Sequence, residues 1–171
     1  DDDGTIVLGY GLSDDSYTLT QADTRLLDVA NGGVDTVRSP VTFSLPAVIE
    51  NLTLFGTAPV EGTGNDGDNV ILGNGGANLL RGLGGNDEIG GRGGNDDLRG
   101  NLGDDVLDGG AGDDELRGGG GVDLFVLGPG GGDDRVLDFE PGERIDLTAL
   151  GVGFADLAIT ADAAGARVAV A

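Results

Sequence analysis

The 171-residue sequence contains no cysteine, methionine, tryptophan or histidine, and only 4% of its residues are aromatic. Because histidine and cysteine are missing, the chain has no zinc protease motif, no Ser-His-Asp triad and no cysteine nucleophile. A compact core of large side chains is not expected either. We therefore predict that the chain is not an enzyme and that any catalytic activity would lie in a domain outside it.

The missing cysteines leave the compartment open, because they fit both a reducing cytosol and an exported bacterial protein that is stabilised without disulfides. No apolar run approaches the length of a transmembrane helix, and the start Asp1-Asp2-Asp3 does not resemble a signal peptide. We expect no membrane insertion, and export would need a signal outside this segment or near its C-terminus.

Basic residues are scarce, since nine arginines stand against 31 acidic residues and give a net charge of −22. A nucleic acid is not an expected partner, because a phosphate backbone needs a basic footprint. An anionic membrane surface is disfavoured for the same reason. Self-repulsion of this size destabilises a compact state unless cations neutralise it.

Glycine is abundant, with 36 residues, and it lies in phase with a nine-residue repeat. A unit such as Gly91 to Arg99 has a turn of six residues followed by three strand residues, with Asp96 two places before the large apolar Leu98. Unbroken phasing of this kind is typical of a repeat architecture and argues against a disordered acidic tail. The apolar anchors of the seven units are Ile71, Leu80, Ile89, Leu98, Leu107, Leu116 and Phe125.

The unit length predicts an all-β solenoid. A strand of three residues spans roughly 10 Å, so successive strands have to stack in parallel sheets. Two units form one coil, and turns eighteen residues apart lie directly on one another. The stacking places Arg81, Arg99 and Arg117 on one sheet face beside acidic neighbours, where we expect them to temper repulsion.

The flanks predict three parts: a degenerate solenoid extension at 1–63, the nonapeptide array at 64–137 and a β cap at 138–171. Only Gln21 to Val29 has room for a helical turn in the first part. After Phe125 the spacing shifts by two residues, and Val136 is the next anchor. Short strands are predicted near Thr5–Leu8, Tyr17–Leu19, Asp35–Val37, Val41–Leu45, Leu52–Phe55, Arg144–Leu147, Leu157–Thr160 and Arg167–Val170.

Burial of one large apolar residue in nine does not offset backbone ordering of about 1 to 2 kcal/mol per residue. The turns must supply a further stabilising interaction. Glycine at the first and fourth places allows a positive φ, which lets backbone carbonyls face the gap between stacked turns. Carbonyl and carboxylate oxygens without nitrogen or sulfur ligands favour Ca²⁺, whose binding then contributes to folding.

The units resemble the RTX nonapeptide, Gly-Gly-x-Gly-x-Asp-x-U-x, in which U is a large apolar residue. The resemblance is specific over 82–126 and looser outside it. It implies a right-handed parallel β-roll with calcium ions between stacked turns, at the C-terminal end of a type I-secreted protein of a Gram-negative bacterium. It also implies a secreted or cell-surface location, a covalently linked upstream effector domain and a monomer.

The resemblance assigns calcium ligands to the sixth place of each unit, and about four to six Ca²⁺ ions are expected. Stacked carboxylate pairs are Asp87 with Asp105, Asp105 with Asp123, Asp96 with Asp114, and Asp114 with Asp134. Asn69 and Asn78 stand at the same place with an uncharged amide, so weaker or empty sites are expected there. Backbone ligands are assigned at the first and third places, to Gly82, Gly84, Gly91, Gly93, Gly100, Leu102, Gly109, Ala111, Gly118 and Gly120.

Other motifs are not supported. No stretch has EF-hand spacing, no Gly-Lys-Ser/Thr follows a glycine-rich loop, and the doublet Asp113-Asp114 recurs from unit to unit as a structural repeat would. The favoured hypothesis is a module that folds on calcium binding after export and assists a larger extracellular protein. The alternative is a polysaccharide- or surface-binding module that uses the regular sheet face.

Overall fold

The structure is a computed structural model that describes residues 13–20 and 32–150, together with the strands at 5–7, 25–27, 157–162 and 165–170. It is an all-β solenoid of about seven turns, as the repeat predicts. Two eight-stranded sheets face each other, and a separate two-stranded sheet pairs Thr5–Val7 with Arg25–Leu27. No α-helix occurs in these residues, and the single helical element is a 3-10 turn at Thr148–Leu150.

The even-numbered sheet has the order β16-β14-β12-β10-β8-β6-β4-β2, and its neighbours are parallel. Its strands are β2 (Ser16–Thr18), β4 (Thr36–Ser39), β6 (Asn51–Leu54), β8 (Val70–Leu72), β10 (Glu88–Gly90), β12 (Val106–Asp108), β14 (Leu124–Val126) and β16 (Arg144–Asp146).

The opposite sheet has the order β17-β18-β15-β13-β11-β9-β7-β5, and it is parallel from β5 to β15. The strands of the two remaining groups are β1 (Thr5–Val7), β3 (Arg25–Leu27), β5 (Phe43–Ser44), β7 (Glu61–Thr63), β9 (Leu79–Gly84), β11 (Asp97–Leu102), β13 (Glu115–Gly120), β15 (Arg135–Val136), β17 (Leu157–Asp162) and β18 (Gly165–Val170).

The apolar anchors of both sheets form one core between the sheets. Ile71 is in register with Ile89, which is in register with Leu107, so one coil of the array takes eighteen residues. All seven anchors predicted from the repeat have no exposed surface, and Val136 after the two-residue shift is 1% exposed. The predicted inward direction of the anchors is therefore confirmed.

The coils outside the array vary in length but keep the same register. Val37 pairs with Tyr17 on one side and with Leu52 on the other, and Leu52 pairs with Ile71. The solenoid thus runs through both proposed boundaries, at 63/64 and 137/138. The division into three parts stays a prediction.

Two sequence predictions differ from the structure. The segment Gln21–Val29, which has room for a helical turn, instead contains a strand at Arg25–Leu27 that pairs with Thr5–Val7, and its other residues lie outside the described part of the chain. Parallel pairing satisfies the backbone of both short segments, which a single helical turn would not do. Strands β9, β11 and β13 contain six residues rather than three, because the glycine-rich start of the next unit continues the ladder with its neighbour.

The chain ends in a hairpin of β17 and β18, which pairs with the solenoid through antiparallel contact of β18 with β15. The pairing in this sheet therefore changes from parallel to antiparallel after β15. The hairpin covers the edge that a parallel stack would leave open. Within the part of the chain that the structure describes, no helix is long and apolar enough to cross a membrane.

Candidate calcium-binding turns

The sixth-place side chains form two rows, one at each end of the sheets. The Asp87 row contains Asn69, Asp87, Asp105 and Asp123, and the Asp96 row contains Asn78, Asp96, Asp114 and Asp134. The two rows alternate along the chain because consecutive units belong to opposite sheets. All eight of these side chains are at most 5% exposed.

Each sixth-place Asp is bonded to the coil before it through one carboxylate oxygen. Oδ1 of Asp105 accepts a 2.8 Å hydrogen bond from the N–H of Asp87, and Oδ1 of Asp123 accepts one from Asp105. The Asp96 row has the same contacts from Asp96 to Asp114 and from Asp114 to Asp134. The structure therefore stacks the residue pairs that the spacing predicts, whereas their role as metal ligands stays a prediction.

A second, exposed ladder at the fifth place runs in the opposite direction. The N–H of Asn86 donates to Oδ1 of Asp68 in the preceding coil, and the N–H of Asp104 donates to Oδ1 of Asn86. Fifth-place side chains thus accept from the following coil, whereas sixth-place side chains accept from the preceding one. Hydrogen bonds between protein atoms alone therefore link consecutive coils in both directions.

The second carboxylate oxygen of the sixth-place residues is left without a partner. Oδ2 is buried and accepts no hydrogen bond at five positions, which are Asp87, Asp96, Asp105, Asp114 and Asp123. A buried, unpaired carboxylate oxygen is strongly unfavourable unless a cation neutralises it. Five repetitions of the same unpaired atom indicate a repeated binding site.

The first-place glycine leaves open the space that this oxygen faces. A side-chain carbon at Gly82 would collide with Oδ2 of Asp87 and would lie 2.7 Å from the carbonyl oxygen of Gly100 in the next coil. Gly100 has the same relation to Asp105 and to the carbonyl of Gly118. We call this space, between the first-place glycine, the sixth-place carboxylate and the next coil, a cradle. Each cradle brings one carboxylate oxygen close to a first-place carbonyl of the following coil.

Positive φ angles occur at the second and fourth places, not at the first and fourth as predicted. Gly85 and Gly103 at the fourth place have φ of 90° and 128°. At the second place the angle is positive even for Leu83 (88°), Arg92 (73°) and Asn101 (81°). First-place glycines are needed for a different reason, since a Cβ would fill the space in front of the carboxylate.

The electrostatics of the cradles favour a cation. Burial raises the pKa of Asp87 and Asp96 to about 7, against the ordinary value of 3.8, although hydrogen bonds from the backbone oppose this shift. Burial likewise raises the pKa of Asp105 to about 6. In each case the carboxylate of the next coil adds a repulsive charge. A bound divalent ion would relieve both costs.

The donor set fits calcium. It consists of carboxylate and carbonyl oxygens, which hard cations prefer. No three acidic side chains converge at one point within the described residues, so each site is built from carboxylate and backbone together. Asp87, Asp96, Asp105, Asp114, Asp123 and Asp134 would hold the ion, with first-place carbonyls beside them.

The third-place residues assigned as backbone ligands have mixed surroundings. The carbonyls of Ala111 and Gly120 accept hydrogen bonds from the N–H groups of Gly94 and Gly103. A carbonyl oxygen has a second lone pair, so these bonds do not exclude a further ligand role. Gly93 forms a bridge with Ala111, Gly84 donates to the carbonyl of Asn65, and Leu102 is 68% exposed.

The two asparagine units are closed by their own side chains. Oδ1 of Asn69 accepts from the N–H of Asn65, and its Nδ2 donates to Oδ1 of Asn65. Asn65 in turn donates from Nδ2 to the carbonyls of Pro46 and Ile49 in the preceding coil, each at 2.8 Å. The amide of Asn65 therefore joins two coils at a turn where the later units have a free carboxylate oxygen.

Asn74 and Asn78 repeat this arrangement in the other row. Nδ2 of Asn74 donates to the carbonyl of Ala58, and Oδ1 of Asn78 accepts from the N–H of Asn74. The carbonyl of Gly73 also accepts from the guanidinium of Arg92 at 3.2 Å. Sequence reasoning did not identify Asn65, Asn74 or Arg92, because all three occupy second places where the repeat pattern specifies only glycine.

A further acidic residue was missed at the other end of the array. Glu143 is 8% exposed, and its Oε1 has no hydrogen-bond partner. The signal in the sequence is its position two residues before Ile145, since that offset separates each sixth-place residue from its anchor. The arginines behave as predicted: Arg81, Arg99 and Arg117 are in register and form ion pairs with Glu61, Asp97 and Glu115.

Fold and turns together define a parallel β-roll whose stacked turns are built for a hard cation. The family model of the RTX calcium-binding nonapeptide repeat (four copies) matches residues 63–98 and 90–125. The array of this chain therefore belongs to the RTX calcium-binding repeats, which bind Ca²⁺ and typically occur in secreted proteins of Gram-negative bacteria.

Among curated proteins, the chain is similar to an endo-1,3-1,4-beta-glycanase, ExsH, of Rhizobium meliloti (strain 1021). The two sequences are 39% identical over 61 residues, which is 36% of this chain and 13% of the glycanase. The match thus spans only a small part of that protein. No solved structure matches the chain.

Proposed function

We propose that this chain is a module that folds on calcium binding outside the cell and stabilises a larger secreted protein to which it is covalently linked. The observation that carries the proposal is that five consecutive turns, from both rows, each have a buried Asp Oδ2 atom without a hydrogen-bond partner. Apolar burial contributes little stabilising free energy per unit, because each unit buries one large anchor. Calcium would supply the missing stabilisation at the turns.

Binding and folding are linked because the cradle does not exist in the unfolded chain. Carboxylates eighteen residues apart meet only after two units have coiled. The free energy of calcium binding is then also free energy of folding. A net charge of −22 opposes collapse until cations neutralise part of it.

This linkage suits export. Extracellular calcium modules bind Ca²⁺ with dissociation constants of about 10⁻⁴ to 10⁻³ M. The free Ca²⁺ concentration in the cytosol is far below this range, so the sites would be empty there. The chain would stay unfolded in the cytosol and fold after secretion. The partial match to a much longer glycanase agrees with a module attached to a separate effector domain, and we place the chain in the extracellular space or at the cell surface as a monomer.

The experiment is a calcium titration of metal-depleted protein, followed by far-UV circular dichroism and by calorimetry that counts bound ions. We expect little β signal in excess EGTA, a cooperative gain with Ca²⁺, and about four to six bound ions. Equal concentrations of Mg²⁺ serve as the control and should give a smaller response, because the irregular cage suits the larger ion. A full β signal in EGTA would contradict the proposal.

A second candidate function is polysaccharide binding. The similarity to a protein named as a β-glycanase favours it, as does the ordered sheet face on which Arg99 and Arg117 both contact Asp97. Titration of a mixed-linkage β-glucan into the calcium-loaded chain tests this function. Absence of heat and of any electrophoretic shift would remove it.

We attribute no catalytic step to this chain. It has no histidine or cysteine, and the buried sixth-place aspartates of the array repeat from coil to coil as a structural element would. The assay for glycan hydrolysis by the calcium-loaded chain is expected to show no turnover. Measurable hydrolysis that is lost on denaturation would overturn this part of the proposal.

A further inference from the structure

The exposed large apolar side chains of the described residues all lie at one end of the solenoid. Each belongs to a turn that enters the even-numbered sheet, and the described turns that enter the opposite sheet contain none of them. Apolar residues that are scattered singly over a surface need no explanation, but collection on one edge indicates a contact surface. The residues are Val34, Val48, Leu83, Leu102, Val122 and Phe139.

Four of these side chains belong to consecutive coils and form a strip. Leu102 is in register with Gly84, the neighbour of Leu83. On its other side Leu102 is in register with Gly120, two residues before Val122. Both partners are glycines, which leave Leu102 68% exposed. We call the following four residues the apolar strip: Leu83, Leu102, Val122 and Phe139.

Leu83 has an unfavourable backbone conformation for its residue type. Its φ of 88° is in the left-handed region, which glycine and asparagine adopt more readily than leucine. Its partner in the next coil is Asn101, with φ of 81°. Core packing does not account for the leucine, because it is 39% exposed and lines an open groove of about 660 Å³. Strain at an exposed apolar residue indicates a contact outside the chain.

Negative charge surrounds the apolar strip. Asp66 lines the same groove as Leu83, and Asp104 is exposed two residues after Leu102. A second copy of the chain, or an anionic lipid surface, would therefore place like charges together. The charge instead complements a partner with both apolar and basic side chains. Basic residues are absent from all the turns at this end of the array, which are 45–50, 64–69, 82–87, 100–105, 118–123 and 138–143.

The spacing of the apolar strip suits a helix. Neighbouring strands of a sheet, and hence consecutive coils, are about 4.8 Å apart, which is close to the 5.4 Å rise of about one helical turn. One apolar side chain per helical turn would therefore stay near the strip over three or four coils. An extended strand fits less well, because its side chains on one face repeat about every 6.7 Å.

We propose that the apolar strip is a docking surface for an amphipathic helix of a partner protein, whose apolar stripe is flanked by lysine or arginine. The apolar stripe would lie on Leu83 and Leu102, and its basic side chains would face Asp66 and Asp104. The strip is assembled only when the coils are stacked, so docking would need the calcium-loaded fold. In this respect the inference rests on the function proposed above. Because the strip is short, we expect weak and transient binding.

The test is an NMR titration of the isotope-labelled, calcium-loaded chain with a synthetic peptide of about 18 residues, in which leucine and lysine follow helical spacing. We expect saturable shifts of amide signals centred on Leu83 and Leu102, in a buffer of about 0.15 M ionic strength. The control peptide has the same composition in scrambled order and should bind at least about tenfold more weakly. Equal binding of both peptides would overturn the proposal, because only net charge would then be recognised.

Leu83→Asn separates docking from stability. Asparagine suits this backbone conformation, as Asn101 shows in the next coil. The variant should therefore be at least as resistant to chemical denaturation in calcium as the unmodified chain, and yet bind the helical peptide about tenfold more weakly. Unchanged affinity in the folded variant would contradict a role of Leu83 in docking.

Asp104→Asn and Asp113→Asn form a matched pair for the charge. Both residues are exposed at the fifth place, and Oδ1 of each accepts from a backbone N–H of the following coil. Only Asp104 lies at the end with the apolar strip. We expect its replacement to weaken peptide binding about twofold to fivefold and that of Asp113 to have little effect. Equal losses would show that the peptide does not select this end.

Other occupants are separate outcomes of the test. Sedimentation of the chain alone would reveal a dimer, and flotation with phosphatidylcholine vesicles would reveal lipid binding. Either one, if lost in Leu83→Asn, would overturn the helix as the occupant. Peptide binding that is equally strong in EGTA, by a fully folded chain, would instead refute calcium-dependent folding and leave the docking surface in place.

Discussion

The N–H of Asp87 donates a 2.8 Å hydrogen bond to Oδ1 of Asp105, eighteen residues later, while Oδ2 of both side chains is buried without a partner. One carboxylate group thus has two separate tasks. Its first oxygen fixes the stacking of consecutive coils, and its second oxygen leaves a charge that the protein alone does not neutralise. Cation binding at the second oxygen would therefore be coupled to coil stacking through the same side chain.

The first prediction concerns Asp105→Asn. Asparagine keeps an oxygen that can accept from Asp87, but it removes the charge at the centre of the Asp87 row. We expect calcium affinity at the adjoining turns to fall by at least about tenfold. The calcium-free protein should gain stability, because a buried carboxylate is replaced by a neutral group. Calcium titrations measure the first effect, and the far-UV circular dichroism of metal-depleted protein in EGTA, which should show more β signal for Asp105→Asn, measures the second.

The matched control is Asp104→Asn, one residue earlier. Asp104 is exposed, and its Oδ1 accepts from the N–H of Val122, a bond that the amide oxygen of asparagine retains. Its calcium affinity should stay close to that of the unmodified chain. Equal losses of affinity for Asp104→Asn and Asp105→Asn would indicate that net charge, rather than the buried oxygen, determines binding.

The second prediction concerns the space that first-place glycines leave open. In Gly100→Ala the new methyl group would meet Oδ2 of Asp105 and would lie 2.7 Å from the carbonyl oxygen of Gly118. We expect one calcium site to be lost and the midpoint of the calcium titration to rise. Gly93→Ala is the control, since a Cβ there has its nearest contact at 3.7 Å and the equivalent residue of the next coil is Ala111. Preserved ion count in Gly100→Ala would show that the cradle does not hold the ion.

The third prediction is a pH dependence with opposite signs in the two metal states. Burial raises the pKa of Asp87, Asp96 and Asp134 to about 7 in the fold, against 3.8 ordinarily. The calcium-free fold therefore binds protons more tightly than the unfolded chain between about pH 4 and 7. Its stability is greatest below that window and is lost as the pH rises through about 7. Metal-depleted protein should gain β signal on acidification from about pH 8 to 5.

With calcium present the sign reverses, because a proton on Oδ2 competes with the ion. Calcium affinity should fall as the pH falls below about 7, the pKa of Asp87 and Asp96. Calorimetric titrations at several pH values should also show protons released on binding near neutral pH. A calcium affinity that does not change between about pH 8 and 5 would be inconsistent with these carboxylates as ligands.

Period alone predicted the apolar anchors and the stacked Asp pairs, because both follow from the eighteen-residue coil. Asp134 and Val136 were placed correctly despite the two-residue shift, since the order of acid and anchor is kept. Predictions failed where local conformation decided the outcome. Leu83 and Arg92 have positive φ at the second place, which their side chains do not indicate.

Side-chain contacts between coils outside the repeated sixth place were not predicted from the sequence. Glu143 lies in a turn without the glycine repeat, and only pairing of β16 with β14 brings it beside Asp123. Asn65 departs from the glycine of the repeat, and its amide was not recognised as a link to the preceding coil. The early units were interpreted as calcium-poor scaffold, but the means by which they stack had to come from the structure.

The last prediction concerns this amide link. In Asn65→Ala the carbonyls of Pro46 and Ile49 lose their side-chain donor, and loss of these two links to the preceding coil costs roughly 1 to 3 kcal/mol. The N–H of Gly67 and Nδ2 of Asn69 also lose their acceptor within the turn. Because asparagine replaces the free carboxylate at this turn, calcium should not restore the loss. Amide hydrogen exchange should therefore accelerate around residues 45–54 even in saturating calcium, with little change near Asp114. Asp66→Ala, at the exposed neighbouring position, is the control and should leave exchange unchanged. Full recovery of protection by calcium in Asn65→Ala would show that the early coils depend on the metal after all.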